Sequence, residues 1–375
     1  MSAGDPTMTA DGGASAVDVP AAPVNAANRF AHIDAMRALA VVIVLFQHSG
    51  LTFVPGDSGV VVFFTISGFI ITSVLLRERE RTGSFDVKRF YVRRLLKLGP
   101  PFVVAILLPT LVYACFRPVH WGAVASQVFF TYNWVQVFDG AASYEVLPGS
   151  NVVWSLAVEE QFYIAFALIW FGLLHTRRWH GALIALAVAA IAYSTVMRVV
   201  LCVRGDAEAH VLRGTDVRMD AIAWGVLTAL AYRSWRAGGS RWLGTVSRDW
   251  VPVVAVVLFL AVSAVGSDQY EAIWRNAVIP LCSAAVIVYG LLPTGTRLQT
   301  AFHRFSCWKS VSFIGLASYS IYISHYVLLE PIVEVWDGPV VLRTVALTAL
   351  GVAAGSLLYV VVERPVFAWR DRVGL

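Results

Sequence analysis

Apolar runs of membrane length follow one another from residue 33 to residue 362, separated by short polar connections. About 20 consecutive apolar residues suffice for a helix to cross a bilayer. The runs predict spans over 33–52, 59–76, 101–116, 152–174, 181–203, 218–232, 250–266, 272–292, 310–329 and 339–362. The fold class expected is all-α, a polytopic membrane helix bundle of about ten transmembrane helices. The 101–116 run is short, and 120–138 suits an interfacial or re-entrant helix. Residues 1–28, rich in Ala, Gly, Pro and Asp without an apolar period, read as a disordered cytoplasmic tail, leaving 29–375 as one membrane-embedded domain. This tail lacks the basic start and apolar core of a signal peptide.

Charge orients the spans. Of 29 Lys and Arg residues, only Arg117, Arg198, Arg204, Arg213, Arg218, Arg275 and Arg343 fall on the side opposite the N-terminus. Basic residues collect on the cytoplasmic side of a membrane protein. Both termini are therefore expected in the cytoplasm, with an even number of spans in the plasma membrane. Composition agrees, since 14% charged residues is well below the roughly 25% of soluble domains. The net charge of +5 is spread over connections rather than gathered in a patch, which argues against nucleic acid as a partner. The chain ends soon after the last run, so no second soluble domain is expected.

Polar residues inside spans are expensive in hydrocarbon, so each needs a reason. The first run holds Asp34, Arg37 and His48. The spacing from Arg37 to His48 is close to three helical turns, so both share one face, about 16 Å apart along the axis. Asp34 lies one turn below Arg37. Such a histidine is either a hydrogen-bonded core residue or a general base near neutral pH. Ser67-Gly68 in the second run permits close helix approach, a nucleophilic serine being the alternative.

The segment from Lys88 to Pro101 is basic and amphipathic, with Arg93, Arg94 and Lys97 close together. It reads as an anchor on anionic lipid or as a clamp on a phosphorylated ligand. The fourth run carries Trp154, Ser155, Glu159, Glu160, Gln161 and Tyr163. Adjacent Glu159 and Glu160 point about 100° apart on a helix, so only one easily faces a common cavity. A charged boundary facing water is the other reading. Later come Arg218, Asp220 and Gly225, then Tyr322 and His325 on one face, and Glu363-Arg364 as an ion pair at a span end. Cys115, Cys202, Cys282 and Cys307 show no metal-ligand spacing and read as small apolar residues, with a Cys115–Cys202 disulfide as the alternative. No metal site is expected.

Together these pieces resemble the acyltransferase-3 family of integral membrane O-acyltransferases. The matching residues are Ile33-Asp34 with Arg37 and His48; Phe63-Phe64 with Ser67-Gly68-Phe69; Phe90-Tyr91 with Arg93-Arg94, Lys97 and Pro100; and Trp154-Ser155 with Glu159-Glu160-Gln161-Phe162-Tyr163. Arg218, Asp220 and Gly225, Tyr319 with Tyr322 and His325, and Glu363 with Pro365 complete the set over nearly the whole chain. The family usually has Arg where Lys97 stands, and lysine keeps the charge without the bidentate fork. Many members carry a fused extracytoplasmic esterase-like domain, so this chain looks like the standalone type.

The resemblance implies transfer of an acyl group, often acetyl, from an acyl-coenzyme A co-substrate to a hydroxyl of a carbohydrate or glycosylated natural product. Polysaccharide and macrolide-type acceptors both fit, and no permanently bound cofactor is expected. By that resemblance Arg93, Arg94 and Lys97 meet the donor phosphates and His48 is the base. The donor arm threads along the Asp34–Arg37–His48 face, with Asp34 among the catalytic candidates and Arg37 steadying the donor or the local charge. Glu159, Glu160, Tyr163 and His325 orient the acceptor or His48, with Ser67, Trp154, Gln161, Asp220 and Tyr322 as further substrate-binding positions. His48 falls in the outer half of the membrane whereas the donor is cytoplasmic. A reaction across the membrane, a water-filled cavity reaching His48, and an acyl-histidine intermediate each resolve that tension. The rival class is a secondary transporter or flippase, which would move its substrate without a donor.

Overall fold

The computed structural model describes residues 30–51, 56–173, 176–205, 208–238, 243–264 and 269–374. The tail expected at 1–28 lies outside them. Among the described residues every regular element is helical. Ten long helices follow in order: α1 Ala31–His48, α2 Gly56–Thr82, α3 Val87–Ala114, α4 Ser150–Leu173, α5 Trp179–Arg204, α6 Thr215–Arg236, α7 Trp250–Ala264, α8 Gln269–Leu291, α9 Lys309–Val335 and α10 Val340–Arg372. Eight of these are long and apolar enough to cross a membrane, and α7 is a shorter apolar helix.

The remaining one, α6, carries Arg218 and Asp220 and hides them inside the bundle rather than showing them to lipid, while Asp216 at its start is part-exposed and pairs with His210. Arg198 of α5 is fully buried and meets Asp220 at 2.5 Å, so two charges neutralise each other in the interior. Lipid-facing surfaces are apolar instead, as with Val253, Val256, Val257 and Leu260 of α7. That division suits a bundle whose solvent is hydrocarbon.

Small residues set the closest contacts. Gly68 of α2 faces the Ile222 carbonyl of α6, and Gly225 of α6 faces the Thr65 carbonyl of α2. A Cβ at either position would collide with backbone, so the α2–α6 crossing needs glycine on both sides. Gly315 of α9 meets the Asp34 carbonyl of α1 in the same way.

One boundary differs from the sequence reading. The basic segment after Val87 and the short run at 101–116 form a single helix, α3. Pro100 and Pro101 remove two backbone donors, and a π-helical turn at Val103–Leu107 follows, keeping the helix continuous. Arg94 and Lys97 therefore lie within a span, opposite the carboxylates of α4. The 120–138 segment forms two short helices, Trp121–Val128 and Tyr132–Phe138. All four cysteines are free. Phe30, Arg77, His180, Arg233 and Arg236 gather at one end, here the basic end. His48, Asp57, Trp154 and Arg343 lie towards the other.

Candidate active site

α1 ends on His48, and α9 brings His325 against it. His48 Nδ1 and His325 Nε2 are 2.7 Å apart, with ring planes within 6° and centroids 5.0 Å apart. On its far side His325 Nδ1 lies 2.6 Å from the Tyr322 carbonyl. A carbonyl only accepts, so Nδ1 of His325 carries the proton, and in the neutral ring Nε2 is left as an acceptor. His48 must then donate from Nδ1, which leaves its Nε2 lone pair free. The Tyr326 ring packs on His48 at 4.2 Å and holds the imidazole plane.

His48 lines a cavity of about 610 Å³ at its end of the bundle, together with Gln47, Asp57, Trp154, Tyr326 and Glu330. Arg213, Glu334 and Arg343 also line it. Carboxylates, amides and aromatic faces are the groups that hydrogen-bond and stack on a polyhydroxylated ligand. One oxygen of Glu330 is buried without a hydrogen-bond partner among the described residues.

A smaller cavity of about 110 Å³ lies deeper, towards the basic end. Arg37, Ser67, Arg94, Lys97, Glu159 and Tyr163 line it. Arg37 Nε donates to Ser318 Oγ at 3.0 Å and to the Gly315 carbonyl at 3.3 Å, and its guanidinium lies 5.8 Å from the centre of the Phe63 ring. Arg94 is committed to carboxylates: it donates to Glu160, lies 3.7 Å from Glu159, and covers the Tyr163 ring at 3.6 Å. Ser67 donates to Glu159. Arg37 and Lys97 face this cavity with no ion pair within 4 Å among the described residues, Glu363 acting on both only from further off, so both cations can turn to an anionic ligand.

The two cavities share Val60 and Tyr322. The Tyr322 hydroxyl is held by Ser155 Oγ at 2.6 Å. A cation-lined chamber and a histidine-lined chamber thus meet at one tyrosine, along the direction of the helix axes. This places His48 and Arg37 on one helix but in different chambers.

Other positions singled out from the sequence are placed elsewhere. Arg93 is exposed, with Arg89, Arg370, Glu78 and Asp371 as its charged neighbours, and does not join Arg94 and Lys97. Glu160 turns from the cavity towards Arg94, while adjacent Glu159 faces it. Asp34 lies at the α1–α9 contact and lines neither chamber. Gln161 accepts from Thr215 Oγ1 at 2.6 Å and from Trp134 Nε1 at 3.2 Å, and donates to the Phe130 carbonyl at 2.7 Å and Asn133 Oδ1 at 2.9 Å. That set uses its amide fully and ties the 120–138 segment to α4 and α6. Asp220 is taken by Arg198.

The sequence reading missed Asp57, Tyr326, Glu330 and Arg343. Tyr322, Tyr326, Glu330 and Val333 recur at helical spacing on one face of α9, and that stripe was the available signal.

A family model described as an acyltransferase domain matches residues 30–360. The peptidoglycan O-acetyltransferase OatA of Listeria monocytogenes is 27% identical over 353 residues, covering 89% of this chain and 55% of the relative. The O-acetyltransferase OatA of Staphylococcus aureus is 28% identical over 308 residues, covering 79% and 50%. The putative peptidoglycan O-acetyltransferase YrhL of Bacillus subtilis is 28% identical over 352 residues, covering 89% and 54%. The chain thus spans about half the length of the curated relatives it matches. No solved structure matches it.

Proposed function

The chain belongs to the acyltransferase-3 family, and from that premise we propose that it moves an acyl group, acetyl in the first instance, from acyl-coenzyme A to a hydroxyl of a glycan or glycoside. The observation that carries this reading is the pair of chambers meeting at Tyr322, one lined by cations and one with an oriented histidine. The basic end faces the cytoplasm, where the donor is, in keeping with the distribution of Lys and Arg. The thioester end of the donor passes Arg37 and Lys97 and reaches Tyr322. The acceptor hydroxyl sits in the histidine chamber.

His48 Nε2 takes the hydroxyl proton as the oxygen attacks the thioester carbon. Its Nδ1–H stays on His325, which steadies the imidazolium that forms. Collapse of the tetrahedral intermediate breaks the carbon–sulfur bond, and His48 returns the proton to the departing thiolate. The acceptor therefore never has to enter the cation chamber, and the donor never has to leave it completely. This division accounts for His48 lying far from the donor side.

Relatives named for peptidoglycan make a wall polysaccharide one acceptor to try. A macrolide-type glycoside is the other. Membrane vesicles given radiolabelled acetyl-CoA and each acceptor in turn test the reading. Label should appear on the acceptor in strict dependence on acetyl-CoA. Acceptor movement across the membrane without donor, and without label transfer, would replace it with the transporter reading.

A further inference from the structure

Outside both chambers, the basic end of the bundle holds a third cavity of about 460 Å³. Its charged walls are Arg77 and Glu80 of α2 and Arg233 and Arg236 of α6. Phe30, His180 and Tyr232 complete the relevant lining. Three guanidinium groups thus face one carboxylate, and that carboxylate is taken, since Arg233 Nε donates to Glu80 at 2.6 Å. Arg77 and Arg236 make no ion pair within 4 Å among the described residues; Arg77 lies near enough to Arg236 for their like charges to act on each other, with Glu80 offsetting part of that repulsion from beyond ion-pair distance. Two guanidiniums converging on one cavity are stabilised when an anion sits between them, and their planar forks match phosphate oxygens.

The walls also offer rings. Arg77 covers Phe30 at 5.3 Å, and Tyr232 stacks on Trp235 at 6.1 Å with planes within 16°. Phosphate-binding cations beside aromatic faces are the composition of a nucleotide site rather than of an inorganic anion site.

Position connects this cavity to the reaction path. Ile66, Ile70, Ser73 and Arg77 fall on one face of α2 by helical spacing, and Ile66 and Ile70 line the cation chamber. From Ser67 to Arg77 the helix rises roughly 15 Å. The third cavity therefore lies beyond the cation chamber, at the membrane surface.

We propose that this cavity is a phosphate-ester site that takes the phosphorylated nucleotide end of the donor, Arg77 and Arg236 gripping phosphate while the flexible arm runs along α2 into the cation chamber. This rests on the donor being an acyl-coenzyme A. Arg94, held by Glu159 and Glu160, then serves the architecture of the channel, and the nucleotide is read further out. A phospholipid headgroup offers the same phosphate chemistry, and the test separates the two sources.

The full chain is reconstituted in phosphatidylcholine nanodiscs, and binding of adenosine 3′,5′-bisphosphate is measured by calorimetry. Wild type should bind it and should not bind adenosine alone. Arg77→Ala and Arg236→Ala should each weaken binding by roughly tenfold or more, the scale of a lost charge-assisted hydrogen bond. Arg117→Ala, at an exposed position beyond the end of α3, should bind it as wild type does. Unliganded melting temperatures equal to wild type establish that the variants fold, and Arg77→Lys, which keeps the charge, should retain part of the affinity. Failure of the bisphosphate to bind, with phosphatidylglycerol raising the melting temperature of wild type but not of the Arg77 and Arg236 variants, would overturn the nucleotide assignment in favour of lipid. Equal bisphosphate binding by wild type and both alanine variants would overturn the site. Bisphosphate binding without any acyl transfer from acetyl-CoA would instead count against the transferase reading and leave the site standing.

Discussion

His48 and His325 are joined through Nδ1 and Nε2 at 2.7 Å although 277 positions separate them in the chain. The Tyr322 carbonyl fixes the proton on the far side of His325, so the direction of the whole chain of hydrogen bonds follows from one backbone group. On the proposed mechanism His325 is a positioning residue that acts through His48. His325→Ala should lower kcat by about 10²-fold or more while leaving KM for the donor nearly unchanged. His325→Gln supplies an acceptor oxygen and should recover part of the rate. A purely structural role would show no such rescue in steady-state kinetics.

Arg94 and Lys97 lie one turn apart on α3 and should behave differently. Arg94→Ala strands Glu160 and Glu159 in a protein interior, and removing one partner of a buried ion pair costs about 3–5 kcal/mol. The variant should melt much lower than wild type in a detergent thermal shift assay. Lys97 makes no ion pair within 4 Å among the described residues, although buried Glu363 feels its charge, so Lys97→Ala should lower the melting temperature less than Arg94→Ala does and raise KM for acetyl-CoA.

Asp220 offers a contrast between function and support. Its carboxylate neutralises fully buried Arg198 and lines neither chamber. Asp220→Asn should lower the yield of folded protein and its melting temperature, again on a scale of about 3–5 kcal/mol. The protein that does fold should keep its KM for donor and acceptor. A raised acceptor KM in a normally stable variant would bring Asp220 back into the site.

Gly225 faces the Thr65 carbonyl across the α2–α6 crossing. Gly225→Ala must push the two helices apart, and overpacking of this kind costs about 1–3 kcal/mol. Because α2 also carries Ser67 and Val60 into the chambers, the displacement should lower both stability and turnover, measurable by melting and by acetyl transfer on the same sample.

The helices were legible because hydrocarbon imposes a length and a composition on every span, and these can be read locally. The Arg37–His48 spacing was legible for the same reason, since helical rise fixes it. What local pattern does not reveal is the partner. Arg94 and Lys97 looked like part of a connection because the carboxylates of α4 that let them enter a span lie more than sixty residues away. Gln161 and Asp220 looked like site residues because a polar group in a span needs a reason, and the reasons are Thr215, Asn133 and Arg198. Asp57 and Glu330 went unnoticed because only the meeting of α1, α2 and α9 turns them towards His48.

On the proposed mechanism His48 transfers a proton and does not hold the donor. Single-turnover transfer from radiolabelled acetyl-CoA, with donor binding measured on the same preparations of wild type and His48→Ala, tests it most directly. Donor binding should be unchanged and the chemical step slowed by about 10²–10⁴-fold in the variant. Transfer at the wild-type rate by folded His48→Ala protein would contradict it.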